Sequence, residues 1–264
     1  MSATASGRSD GRRHGHGHGH VTLVGAGPGD PELLTLAGAR ALVTADVVLY
    51  DRLIDERILA MTSPAARLIP VGKHKGGGMS QCDINALLVA EASSGAHVVR
   101  LKGGDPFLFG RGTEEIDALD EHGITTTVIP GVSSALAAPS AAGIPVTHRR
   151  VARACTIVSG HLADDDDYDW NALAAVPGTL IVLMAAATAR AVARRLREGG
   201  LSASEPVAVI HAATTCRQQV ARMTLADLER DGSPFGSPSV IVIGPTADPA
   251  NLVAELTDLA AGSC

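Results

Sequence analysis

Three places in this 264-residue sequence bring together residue types that could do chemistry. The richest is Arg100-Leu-Lys-Gly-Gly-Asp-Pro-Phe-Leu-Phe-Gly-Arg-Gly112, where a strand-like run meets paired glycines, an acid and a proline. Gly103 and Gly104 allow a ligand against the main chain, and Asp105 offers a carboxylate to a hydroxyl or ammonium group there. The same spacing also suits an elaborate turn, because glycine pairs before Asp-Pro are common turn chemistry. The second place is Gly25-Ala-Gly-Pro-Gly-Asp30, which follows an apolar run as a dinucleotide-binding loop would. The third glycine of that pattern is replaced by Asp30, and Pro28 removes an N–H that would face a diphosphate. What remains is either a tight loop open to a ligand or a plain strand-to-helix turn. The third place is Asp51, immediately after Asp46-Val-Val-Leu-Tyr50. In an open parallel sheet, ligands bind at the carboxyl ends of strands, where loops and helix amino termini gather.

These positions require α/β organisation around them. Val21-Thr-Leu-Val24 reads as a buried parallel strand, and Asp30-Pro31 as the start of a helix running to about Thr44 with leucines 33, 34 and 36 on its apolar face. Further strands are predicted near 68–71, 97–101 and 126–129, with helices near 82–94 and 113–122. Pro130-Gly131 breaks the pattern before a helix near 133–142. A second set follows, with strands near 154–159, 179–184, 206–210 and 238–243 and helices near 188–199 and 224–230. The expected domains are therefore a first α/β unit over 21–132 and a second over 133–264. Residues 1–20, with alternating histidines at 14, 16, 18 and 20, have too little apolar content to offset the entropy of ordering and are expected to form a disordered tail.

Composition narrows the partners. A net charge of −6 gives no general attraction for phosphate backbones or anionic lipid, and 2% aromatic residues leave little material for stacking bases. No nucleic acid or membrane partner is expected, and no apolar run reaches the roughly 18 residues that span a bilayer. Cysteines 82, 155, 216 and 264 form no C-x-x-C, and the run Asp164–Asp167 lacks the spacing of a calcium loop, so no metal is expected. A reducing cytoplasm is the simple reading of these cysteines and of the polar amino terminus.

Val21–Asp30, Asp46–Ile54, Val71-Gly-Lys73, Arg100–Gly112, Pro130–Ser134 and Gly143–Arg149 together resemble the uroporphyrinogen-III C-methyltransferases of the tetrapyrrole methylase family. The long string ending at Gly112 is the most specific part. The resemblance implies two α/β domains with S-adenosyl-L-methionine bent in the cleft between them, not a Rossmann methylase, and S-adenosyl-L-homocysteine as product. Carried over by position, it implies cofactor contacts at Pro28, Gly103, Gly104, Asp105, Leu108, Ser133, Ser134, Met184 and Ala213. It assigns a proton acceptor and donor to Asp51 and Lys73, although Lys73 equally reads as a solvated loop lysine. The sequence departs from the family at Ser134, usually alanine, at Leu183 before Met184, where a tyrosine is common, and at Thr113 in Gly112-Thr-Glu114, where a glycine is commoner.

The implied activity is two methyl transfers to uroporphyrinogen III, giving precorrin-2 for siroheme or cobalamin synthesis, by a homodimer. Eight substrate carboxylates facing a net-negative protein need local cations, which makes Arg111, Arg149 and Arg150 substrate-contact candidates, each of which could instead be a surface salt bridge. Competing readings are another precorrin methylase, a nicotinamide-dependent dehydrogenase, disfavoured by Asp30, and a non-catalytic binding protein.

Overall fold

The computed structural model describes residues 19–72, 78–164 and 168–251. Two five-stranded sheets organise it. The first contains β1 (His20–Gly25), β2 (Val47–Tyr50), β3 (Arg67–Pro70), β4 (His97–Lys102) and β5 (Thr125–Ile129) in the order β3-β2-β4-β1-β5, every pair parallel. Helices α1 (Leu36–Thr44), α2 (Glu56–Leu59), α3 (Gln81–Ser93) and α4 (Gly112–Asp120) connect them. Beyond their first residues β1 and β4 are buried throughout, which is why they read as continuous rather than alternating apolar runs. Two apolar clusters cover the two faces, one built on Leu23, Leu49 and Leu88, the other on Val24, Leu42 and Leu101.

β1 begins at His20, so the last histidine expected in the tail is structural: its ring stacks on His97 of β4 at 4.6 Å. Residues 1–18 lie outside the described residues, as do Lys73 and residues 165–167 of the acidic run.

The first expected helix divides in two. Asp30 does accept a hydrogen bond from the Glu32 N–H, but it caps only a single 3-10 turn over Pro31–Leu33. The chain then extends, and Thr35 caps α1 through the Gly38 N–H. Two cap residues five positions apart compete for one helix start, and the second governs the longer segment. Leu36, assigned to the apolar face, is consequently 79% exposed, while Ala41 and Leu42 are buried.

The second sheet contains β6 (Cys155–Ser159), β7 (Thr179–Leu183), β8 (Pro206–His211), β9 (Gln219–Thr224) and β10 (Ser239–Ile243) in the order β6-β7-β10-β8-β9. β6 and β7 are parallel, and β10 runs antiparallel to both β7 and β8. β6, β7 and β8 therefore point the same way and end at one edge. Sequence reading missed β9, an edge strand antiparallel to β8 with an irregular exposure pattern in place of alternation. Helices α6 (Trp170–Ala175), α7 (Ala189–Glu198) and α8 (Leu225–Asp231) pack on one face around Trp170, Val192, Leu196 and Leu228. Helix α5 (Ser134–Ala141) follows the first sheet in sequence yet packs through Ala135 and Ala138 on the other face of the second, beside Ile181 and Ile210.

Candidate functional site

The carboxyl ends of β4, β1 and β5 lie side by side, and their loops touch main chain to main chain. Gly27 and Gly104 bond reciprocally, N–H to carbonyl, at 3.2 and 2.8 Å, and the Ala26 N–H reaches the Lys102 carbonyl at 2.7 Å. A Cβ on Gly131 would sit 2.2 Å from the Gly104 carbonyl oxygen and one on Gly25 would sit 2.5 Å from the Gly131 nitrogen, so this junction admits no side chain. Asp105 ties it together: one carboxylate oxygen accepts from the Phe107 N–H at 2.8 Å, the other from the Gly131 N–H at 3.0 Å. Gly103, in contrast, is exposed, and a Cβ there would meet nothing within 4 Å. The loop thus presents a bare backbone surface to open space, with Ser133 on its far side at the amino terminus of α5, where its side chain accepts from the Ala135 N–H.

One strand over, four charged groups assemble. Arg100 and Lys102 on β4 and Glu115 on α4 are buried, with side-chain exposures of 3%, 3% and 0%. Glu115 accepts from Arg100 Nε at 3.0 Å, from Lys102 Nζ at 2.9 and 3.0 Å, and from Gln81 Nε2 at 3.2 Å. Arg100 Nη2 extends to Asp51 Oδ1 at 2.5 Å, and Nη1 donates to the Leu101 carbonyl. Asp51 follows β2 at the same carboxyl edge and is one-third exposed. Burial alone would lower the affinity of the Arg100 guanidinium for its proton, but Asp51 and Glu115 outweigh it and raise that affinity. For Lys102 the balance falls the other way: burial, reinforced by adjacent Arg100, holds its ammonium below the ordinary lysine range despite Glu115.

The second sheet contributes from the ends of its three co-directional strands: His161 after β6, Met184 after β7, and residues 212–214 after β8. Met184, Ala212 and Thr214 hold φ of 57°, 43° and 65°, a left-handed backbone that non-glycine residues seldom adopt and that concentrates at ligand sites. Phe109 and Arg111 in the facing loop do the same, at 54° and 57°. Among the described residues, contacts at two places join the halves. The Asp30 N–H donates to Thr214 Oγ1 at 3.2 Å, with Gly29 packed against Thr215, while Leu108 packs on the second sheet's core beside α5. Between the halves opens a cavity of about 480 Å³ lined by Phe107, Phe109, Arg111, Glu114, His161 and Met184, among others.

Lys73 lies outside the described residues; the other expected site residues have definite places. Pro28, Gly103, Gly104, Asp105, Leu108, Ser133 and Ser134 lie on the clustered strand-end loops of the first sheet and the start of α5. Met184 and Ala213 lie at the facing strand ends, Met184 43% exposed and Ala213 buried. Asp51 stands on the same edge as the glycine loops. Arg111 lines the cavity and pairs with Glu114 through two bonds of 2.7 and 2.5 Å. Arg149 and Arg150 are exposed on a turn closed by the reciprocal bonds between His148 and Ala152. Among the described residues no cluster of His, Cys, Asp or Glu could hold a metal ion, and no helix is long and apolar enough to cross a membrane. Sequence reasoning passed over Glu115, and it read Arg100 and Lys102 only as part of a string. The available signal was the alternation of Arg100 and Lys102, two cations on one face of a strand otherwise apolar enough to be buried.

Comparison with known proteins extends the picture. Residues 20–229 match the model of the family described as tetrapyrrole (corrin/porphyrin) methylases. A siroheme synthase of Edwardsiella ictaluri is 44% identical over 225 residues, covering 85% of this chain and 49% of that protein. The chain spans about half the length of the curated relatives it matches. Among solved structures, a uroporphyrin-III C-methyl transferase from Thermus thermophilus, complexed with S-adenyl homocysteine, superposes with a TM-score of 0.77 at 40% identity, covering 88% of this chain and 94% of that one. A cobalt precorrin-4 methyltransferase superposes with a TM-score of 0.76 at 27% identity, covering 87% and 96%.

Proposed function

The chain belongs to the tetrapyrrole methylase family, and from that premise we propose that it is an S-adenosyl-L-methionine-dependent C-methyltransferase that methylates uroporphyrinogen III twice, giving precorrin-2 for siroheme or cobalamin synthesis. The observation that carries the reading is the junction of bare backbone at Gly103-Gly104 facing strained strand ends of the second sheet. The residues present suit the cofactor: a Cβ at Gly103 would project into the space that a ligand lying on the loop would fill. Gly103, Gly104, Pro28, Leu108, Ser133 and Ser134 would hold it from one side and Met184 and Ala213 from the other. Asp105 braces the loop, each carboxylate oxygen accepting one backbone N–H bond and keeping a lone pair for a cofactor hydroxyl or ammonium group.

When bound, the cofactor supplies an activated sulfonium methyl. The chain's own residues must then place a pyrrole carbon in line with it and exclude water. The cavity beside Met184 suits the substrate, with Arg111 on its wall meeting a carboxylate, and Arg149 and Arg150, exposed on the turn after α5, are the further carboxylate contacts of this reading. Methylation leaves the ring system with a proton to lose, and Asp51, a partly exposed carboxylate on the same edge, accepts it. Lys73 is the corresponding donor. The division into units at about residue 132, the homodimer and the cytoplasmic setting belong to the same reading.

Incubation of purified protein with labelled S-adenosylmethionine and uroporphyrinogen III, with the product's methyl count read by mass spectrometry, tests it. Two added methyls are expected. Unmodified uroporphyrinogen III beside a methylated later precorrin would assign the chain to another step of the family's chemistry.

A further inference from the structure

The buried charges beneath Asp51 are more than a fold-holding cluster needs. Lys102 alone satisfies Glu115, bonding both of its oxygens, so that pair is closed without Arg100. Arg100 is nevertheless buried beside them, with Lys102 as a like-charged neighbour, and extends its one remaining edge to a carboxylate at the rim. Burying a guanidinium carries a desolvation cost that a completed pair does not require. The orientation is specific as well. Nε is held by Glu115 and Nη1 by the Leu101 carbonyl, which fixes the guanidinium plane, so that Nη2 meets Asp51 Oδ1 from a set direction. An ammonium in that position could not span Glu115 and Asp51 at once.

We propose that Arg100 is a positioning residue for Asp51: clamped from behind by Glu115, its guanidinium fixes the Asp51 carboxylate at the carboxyl edge in the orientation that accepts the substrate proton. The proposal rests on the reading of Asp51 as the proton acceptor. Among the described residues, Glu115 from α4 and Lys102 from β4 are the charged groups beside the Arg100–Asp51 pair, with the Gln81 amide of α3 bonded to Glu115. Arg100 touches no substrate in this scheme and acts only through Asp51.

A double-mutant cycle on the full chain separates this role from a structural one. Wild type, Arg100→Lys, Asp51→Asn and the double variant are compared for kcat and KM in the methylation assay, and for S-adenosylhomocysteine affinity by calorimetry. Arg100→Lys is expected to lower kcat about ten- to a hundredfold through misplacement of the carboxylate, with KM for the cofactor and homocysteine-product affinity changed less than about twofold. In the Asp51→Asn background the same substitution is expected to change kcat by less than about twofold, because its target is gone. An equal loss in both backgrounds, or a kcat unchanged by Arg100→Lys, overturns the positioning role. Wild-type kcat in Asp51→Asn alone overturns the acceptor reading instead, so the two failures are distinct. Arg100→Gln is judged by the same criteria should the lysine variant not fold.

Discussion

The two sheets bring different material to their shared edge. All three buried charged residues among the described ones, Arg100, Lys102 and Glu115, belong to the first half, whereas the buried polar residues of the second are the neutral Thr179, Ser239 and Thr246. The second half contributes strained backbone in their place, at Met184, Ala212 and Thr214. The parallel first sheet gathers every strand end, and so every loop, at one edge, where charges can be paired across neighbouring elements. In the mixed second sheet, β9 and β10 run the other way, and only three strands have their carboxyl ends at the site. The two halves divide the labour: buried charge and a bare-backbone floor on one side, strained backbone on the other. This also means that site and stability are coupled in the first half and separable in the second.

The largest effect should come from breaking that coupling at its centre. Glu115→Ala leaves Arg100 and Lys102 buried side by side without their shared anion, and an uncompensated buried charge costs about 3–5 kcal/mol. Urea unfolding of the variant should show a loss in that range. A loss below about 1 kcal/mol would mean that water or another anion reaches the two cations, and the first half would then lose its claim to a site bound into its core.

The glycine junction gives a smaller and more discriminating contrast. Gly131→Ala forces a methyl to within 2.2 Å of the Gly104 carbonyl oxygen, and such overpacking costs about 1–3 kcal/mol. Gly103→Ala meets no neighbour and should leave thermal stability within about 0.5 kcal/mol of wild type, as ordinary surface changes do. Its effect should fall on S-adenosylhomocysteine binding, measured by calorimetry. Unaltered affinity in Gly103→Ala would remove this loop as the floor of the cofactor site.

The same division governs what could be read in the sequence. β1, β2 and β4 of the first half were legible because burial leaves unbroken apolar runs, whereas the paired glycines beside Asp-Pro signalled by themselves only a close backbone approach or a turn. Family resemblance alone pointed to Met184 and Ala213: nothing local in an apolar strand end signals the left-handed φ of Met184, or of Ala212 and Thr214 on either side of Ala213. β9 was lost because its burial follows no two-residue period, and the helix from Asp30 was misjudged because a second cap at Thr35 could not be weighed against the first without knowing which leucines face the sheet. Glu115 was hidden for another reason. On a helix whose first turn also carries Glu114, nothing local distinguishes the acid that is fully buried from the one exposed beside Arg111.

Met184 offers the finest test of separability, because at this position three small effects nearly cancel. Its left-handed backbone costs a non-glycine residue about 1–2 kcal/mol, and glycine would remove that cost. Glycine also loses more freedom on folding, about 0.5–1 kcal/mol, and Met184→Gly gives up whatever packing a side chain 43% exposed provides. The net change in unfolding free energy should therefore be about 1 kcal/mol or less, while S-adenosylhomocysteine binding weakens through loss of the side chain from the cavity wall. A destabilisation as large as that of Glu115→Ala would show that the second half, too, builds its site into its core, and the contrast between the sheets would then be one of chemistry only.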